Sequence, residues 1–265
     1  MAAAASLSTR DVDVLEKIKD PDYNPQTNVL LDSSLPRDPH ISDTSVYQRV
    51  IQKEREIVLA MQQLELQLAG LRPQTVSEPQ QEYRGLLAKL GDFIAEYPNY
   101  ASARNNRVQA VRRLYGDTML LQDAGEDAQR LIRNSDAGER QKMAEMALDD
   151  LDTAVKLLSP RMAFAAVSPQ AAKTLSSTYT QRAAIYHTTG KRIGDGKAAV
   201  SGARREADWG RGEFEEAASR DFALGGRHGN EIAKGLAVST NPTAKLCGQM
   251  VREAMKKEYG PEYGN

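Results

Sequence analysis

The sequence predicts an all-α protein: an α-solenoid of about three helix pairs, with an extended strip before it and capping helices after it. Aromatic residues are only 6% of the chain, while Ala, Leu, Gln, Glu and Arg recur, a balance that favours helix over sheet. Apolar residues return at helical spacing in one stretch after another. The stretch 97–117, Y-P-N-Y-A-S-A-R-N-N-R-V-Q-A-V-R-R-L-Y-G-D, reads as a helix opened by Pro98-Asn99 and closed by Gly116-Asp117. It is answered by 146–158, M-A-L-D-D-L-D-T-A-V-K-L-L, an amphipathic helix with small residues at Ala147 and Ala154.

Taken in order, 1–41 is an N-terminal segment. Thr9 can cap a short helix over 11–19 with Val12, Leu15 and Ile18 on one face. Pro21, Pro25, Pro36 and Pro39 then impose an extended strip, whose Val29, Leu30, Leu31 and Leu35 are expected to lie against the helical body. The repeat region spans 42–224. Its first helix starts near Ser42-Asp43 and runs to Leu68 before Gly70, with a stripe of Val46, Val50, Ile57, Leu59, Met61, Leu64 and Leu68. After a loop over 71–80, a helix over 81–95 turns Tyr83, Leu86, Leu87, Leu90 and Ile94 inward. Residues 118–142 read as a polar insertion with a helical piece at Leu131-Ile132, and 159–168 as a loop. A helix follows over 171–189, then a glycine-rich basic insertion over 191–207, then a helix over 213–220 or slightly beyond. The capping region, 225–265, has a bend at Gly225-Gly226 and Gly229, a short helix over 230–237 and a final helix over 243–257. Leu246, Met250, Val251 and Met255 of that last helix are expected to pack.

Composition narrows the function. The 265 residues carry 35 basic and 36 acidic side chains, so bulk charge gives no reason to expect nucleic acid or a membrane surface. The start lacks a basic signal-peptide region, and no run approaches the roughly 20 apolar residues of a membrane span. The expected localisation is cytoplasmic, with the nucleus also open. A single cysteine, Cys247, excludes an internal disulfide and is expected as a buried small hydrophobe.

The helix pairs carry repeat arithmetic. A tetratricopeptide unit is about 34 residues in two antiparallel helices, with small residues at the eighth, twentieth and twenty-seventh positions. Ala183 takes the eighth position of the third unit, with Tyr179 fourth, Tyr186 eleventh, Gly190 fifteenth, Phe214 twenty-fourth and Ala217 twenty-seventh. Ala147, Leu151 and Ala154 take the twentieth, twenty-fourth and twenty-seventh positions of the second unit, where Arg104 replaces the usual aromatic. The first unit, 43–97, keeps its helix pair and closing proline but little else. Arg107 and Arg182 share the seventh position, and Asp150 and Glu213 the twenty-third. An arginine–carboxylate bridge inside each unit is therefore favoured over anion binding in a groove.

These residues resemble the tetratricopeptide repeat protein 36 family. The resemblance rests on Y-A-S-A-R-N-N-R-V-Q-A-V-R-R, A-L-D-D-L-D-T-A-V-K-L, Y-T-Q-R-A-A, D-W-G-R-G-E-F-E-E-A-A, the opening V-L-E-K-I-K-D-P and, most specifically, N-P-T-A-K-L-C-G-Q-M-V. It spans most of the chain, and the long insertions suit a divergent member, for instance a fungal one. The resemblance implies a non-enzymatic protein-binding adaptor, associated with the Hsp70 chaperone or stabilising a client. Of the clamp that grips chaperone tails in some repeat proteins, Asn106 matches one asparagine, but Ser177 and Gln181 stand at the basic positions and leave the clamp incomplete.

In a stacked array the first helix of each unit lines the concave face. The candidate protein-binding residues are therefore Asn105, Asn106, Gln109, Arg113, Thr180, Gln181 and His187, able to hydrogen-bond an extended peptide. No catalytic, cofactor or metal constellation is read. His40, His187 and His228 sit in separate elements, and G-D-G-K at 194–197 lacks phosphate-loop spacing. Trp209 is expected to pack beside the last repeat helix. The alternatives to an adaptor are a structural or oligomerising scaffold and an accessory subunit of an enzyme.

Overall fold

A computed structural model describes residues 29–122, 130–160, 162, 165–194, 198–200 and 202–259. The short helix expected over 11–19 lies outside them. The described residues form eight α-helices: α1 (Thr44–Leu68), α2 (Pro79–Glu96), α3 (Ala101–Tyr115), α4 (Ala137–Leu158), α5 (Pro169–Arg192), α6 (Arg211–Arg227), α7 (Glu231–Thr240) and α8 (Pro242–Tyr259). A 3-10 turn, Arg205–Asp208, precedes α6. The fold is all-α, and the β-type pairings among the described residues are isolated bridges. No helix among them is long and apolar enough to cross a membrane.

Local chemistry sets the helix starts. Asp43 caps α1 by accepting from the Ser45 and Val46 amides at 2.7 and 2.9 Å. Asp136 caps α4 through Glu139 N, Ser168 caps α5 through Ala171 N, and Asn230 caps α7 through Ala233 N. Pro79 and Pro169 occupy first-turn positions, where a missing N–H costs nothing. Gly70 and Gly116 follow α1 and α3 with φ of 70° and 79°, the region that favours glycine after a helix.

Each helix packs on its sequence neighbour, most extensively α5 on α6, and α3 also touches both α1 and α5. The small residues expected at the repeat positions are buried. Ala147, Ala154 and Ala183 are fully buried and Ala217 nearly so. A Cβ on Gly190 would meet Phe214 Cβ at 3.2 Å, so the glycine permits the α5–α6 crossing. Met119, Leu120 and Leu121 join Leu90, Leu114, Leu148, Leu151, Tyr186 and Phe214 in the largest core cluster.

Several expectations change here. Helix α4 begins at Ala137, inside the expected insertion, because Asp136 supplies a cap. Leu131 and Ile132 are not helical: their amides donate to the Arg113 and Leu114 carbonyls at the end of α3, and Ile132 is buried. Helix α5 continues to Arg192. Ile193, Ala198 and Val200 of the second insertion are buried, with Leu121 bridged to Ala198. Trp209 does pack beside α6, with ring centroids 5.3 Å from Tyr186 and 5.2 Å from Phe214. Gly225 and Gly226 are helical, since α6 runs to Arg227, and the bend is at Gly229 (φ 104°). Leu30 and Leu31 point outward at 60% exposure, with Val29 packed inward. Helix α8 buries no residue: Leu246, Met250 and Val251 are exposed, as is Cys247, because α8 packs only sparsely on α6 and α7.

Candidate functional site

The N-terminal strip is pinned to the start of α5 by its backbone. Val167 N donates to Leu30 O at 2.9 Å, Asp32 N to Val167 O at 3.0 Å, and Ser168 Oγ to Arg37 O at 3.0 Å. Two open recesses flank it and share Pro169. The first, about 690 Å³, lies between α5 and the α6–α7 turn, with Leu31, Ala172, Thr180, Gln181 and Ile232 on its walls. The second, about 490 Å³, lies over α1 and the start of α3, with Leu35, Arg37, Tyr47, Ile51, Glu54 and Tyr100.

Most of the predicted binding residues are committed to contacts between helices. Asn105 is buried. Its carbonyl and side-chain oxygens accept from Gln181 Nε2 at 3.1 and 2.7 Å, and its Nδ2 donates to Ser177 Oγ at 3.2 Å. Asn106 Nδ2 donates to Glu54 Oε1 at 2.7 Å, and Arg113 Nε to Glu65 Oε1 at 2.7 Å. Thr180 Oγ1 donates to Ser176 O and accepts from Asn230 Nδ2. Thr180 and Gln181 face the first recess, Gln109 is exposed, and His187 lies apart with its ring 6.2 Å from that of Phe222. Burial, then the Lys191 and Lys245 ammoniums, push the His187 imidazole below its usual range.

The arginine bridges follow the expectation in one pair and depart from it in the other. Asp150, 1% exposed, accepts two bonds from Arg107 (2.6 and 2.8 Å) and one from Arg104 at 2.8 Å, tying α3 to α4. Arg182 grips Asp221 at 2.6 and 2.9 Å and Asp152 at 2.6 Å, not Glu213. Glu213 stands in the first turn of α6 and turns back to accept from Gly210 N at 3.1 Å.

The sequence reading missed Tyr47 and Glu54, and a signal for them exists. Tyr47, Val50, Glu54, Ile57, Met61 and Leu64 alternate three and four apart, so an acid stands within the buried stripe of α1. Glu54 accepts from Tyr100 Oη at 2.6 Å as well as from Asn106. Burial pushes its carboxyl above the usual range against hydrogen bonds from Ser102, Tyr100 and Asn106, and the charge of Asp38 adds to the rise.

No family model matches the chain, and no solved structure matches it. The L-tyrosine degradation gene cluster protein hmgX of Aspergillus fumigatus is 32% identical over 255 residues, which cover 96% of this chain and 93% of hmgX. With that identity over nearly the full length of both proteins, the chain belongs to the hmgX family.

Proposed function

We propose that this protein is a non-enzymatic adaptor of three tetratricopeptide-like helix pairs, α1–α2, α3–α4 and α5–α6, which holds and stabilises another protein. The observation that carries the reading is the succession of α1, α3 and α5. They touch one another in order; α1 and α5, together with the strip and Tyr100 just before α3, supply walls of two neighbouring open recesses. The buried Ala147, Ala154, Ala183 and Ala217, and Gly190 beneath Phe214, suit that repeat geometry. The name of hmgX ties that relative to an L-tyrosine degradation gene cluster. The proposed client is accordingly an enzyme of L-tyrosine degradation, with an Hsp70-type chaperone as a recruited partner and the cytoplasm as the site of action.

Affinity capture of the full chain from cells growing on L-tyrosine, read by mass spectrometry, tests this. The expected result is enrichment of an L-tyrosine-degrading enzyme, reduced by Lys173→Glu with Gln109→Arg, both exposed positions on α5 and α3. Absence of such an enzyme from the capture, or indifference to the substitutions, overturns the reading. A second reading, an oligomerising scaffold, draws on the outward Leu246, Met250 and Val251 of α8, and light scattering separates it from a monomeric adaptor.

A further inference from the structure

Among the described residues, the second recess contains a buried acid without an ion-pair partner and a tyrosine whose hydroxyl makes no hydrogen bond. Glu54 is 9% exposed and lines the recess. Ser102, Tyr100 and Asn106 hydrogen-bond to it and the charge of Asp38 acts on it, and among the described residues no cation forms an ion pair with it. A carboxylate has about four acceptor positions, so its donors leave capacity unused. Burying an ionised acid on neutral hydrogen bonds alone is costly, and the upward displacement of its carboxyl reflects that cost. Tyr47, two helical turns earlier on the same stripe, is 5% exposed and lines the same recess. Among the described residues its hydroxyl makes no hydrogen bond; it feels the charges of Arg37, Asp38 and Glu54. Ile51 and Leu35 supply an apolar wall, and the exposed Arg37 stands at the rim.

We propose that this recess receives a lysine side chain of the bound protein, its ammonium on the Glu54 carboxylate and its methylene stem along Ile51 and Leu35. The Tyr47 hydroxyl donates to a backbone carbonyl of the same segment, and Arg37 faces its acidic or carbonyl groups at the rim. Lysine suits the floor better than arginine. With Tyr100 and Asn106 already on its two oxygens, the carboxylate no longer offers the open fork a guanidinium uses, but it accepts a compact ammonium. The inference deepens the adaptor reading and rests on it, since it names what the client presents.

The test uses the full chain and two blocked tripeptides, acetyl-Gly-Lys-Gly-amide and its norleucine counterpart, followed by amide chemical shifts in NMR. The lysine peptide is expected to give saturable shifts at Tyr47, Ile51, Glu54 and Tyr100, with affinity at least about ten-fold above the norleucine peptide. Glu54→Gln abolishes that preference. Tyr47→Phe leaves thermal stability unchanged, because the lost hydroxyl makes no hydrogen bond among the described residues, and weakens the lysine peptide about two- to ten-fold. Equal response to both peptides, shifts confined to other surfaces, or full affinity in Tyr47→Phe overturns the proposal. Because the peptides need no client, their failure beside a successful capture sinks this inference alone, and the reverse pattern sinks the adaptor reading.

Discussion

Replacing Asp150 by alanine removes the arginine–carboxylate tie between α3 and α4, and the structure sets the size of the loss. The Asp150 side chain is 2% exposed and collects three hydrogen bonds from two arginines, themselves only 17% and 16% exposed. The substitution leaves Arg107 without its bidentate acceptor and Arg104 with only the Pro98 carbonyl. Removing one partner of a buried ion pair costs about 3–5 kcal/mol, because the remaining charge stays desolvated. In a chain of this size each kcal/mol moves Tm by about 2–4 °C, so Asp150→Ala should melt about 6–20 °C below the parent. Urea unfolding followed by circular dichroism gives the free energy directly. Arg104→Met and Arg107→Met combined with Asp150→Leu remove all three charges, fill the site with apolar groups and should recover much of the loss. A loss under about 1 kcal/mol, the range of an exposed pair, would refute the claim that this cluster is desolvated.

Two glycines should respond in opposite directions to the same change. Gly85→Ala in α2 meets no atom within 4 Å and should gain up to about 1 kcal/mol from helix propensity. Gly226→Ala in α6 places a methyl 2.9 Å from Lys234 Cα. The crossing of α6 over α7 must then open, at about 1–3 kcal/mol in denaturant titration. Glu54 gives a pH signature: its folded carboxyl lies above the unfolded value, so the folded state holds the proton more tightly and stability is lost as pH rises through that window. On moving from neutral to mildly acid pH, the parent should gain stability relative to Glu54→Gln, measured by urea titration at both pH values. Trp209, the single tryptophan, packs on Tyr186 and Phe214, so Trp209→Ala should cost about 1–3 kcal/mol through two aromatic pairs. In the parent, tryptophan fluorescence should report the same unfolding midpoint as circular dichroism.

What could be read from sequence was what local chemistry decides. Asp43, Pro98 and Gly116 marked helix limits because caps and breakers act within one turn, and the stripes of α1 and α2 were visible as periodicity. Register across helices was hidden. Arg182 had several acids at helical distance, and only packing selects Asp221 and Asp152 while Glu213 is taken by its own helix start. The candidate groove residues fall on α3 and α5 as expected from periodicity, yet contacts between helices consume Asn105, Asn106 and Arg113. Glu54 escaped notice because an acid in an apolar stripe reads as an interruption until Tyr100 and Asn106 are seen to meet it. The outward face of α8 was illegible for the complementary reason: amphipathicity says that a helix has an apolar side, not that anything covers it.

The two insertions show why composition misleads when a few residues carry the packing. Their glycines and charges suggest surface loops, and loops are where such composition usually belongs. Yet Met119, Leu120, Leu121, Ile132, Ile193, Ala198 and Val200 belong to the same core cluster as the helices. The Leu121–Ala198 bridge joins one insertion to the other across the α3–α4 and α5–α6 pairs. Arg204 extends the tie by reaching Asp149 and Asp152 of α4 and Glu206 beside it, and the buried Glu206 in turn accepts from Tyr186 of α5 at 2.6 Å. A pair of helices stacked only on its sequence neighbours would hinge at each junction. Here a second layer of contacts spans the junction between α3–α4 and α5–α6. The packing of α3 and α4 against α5 and α6 is therefore reinforced by segments whose composition announces nothing of the kind.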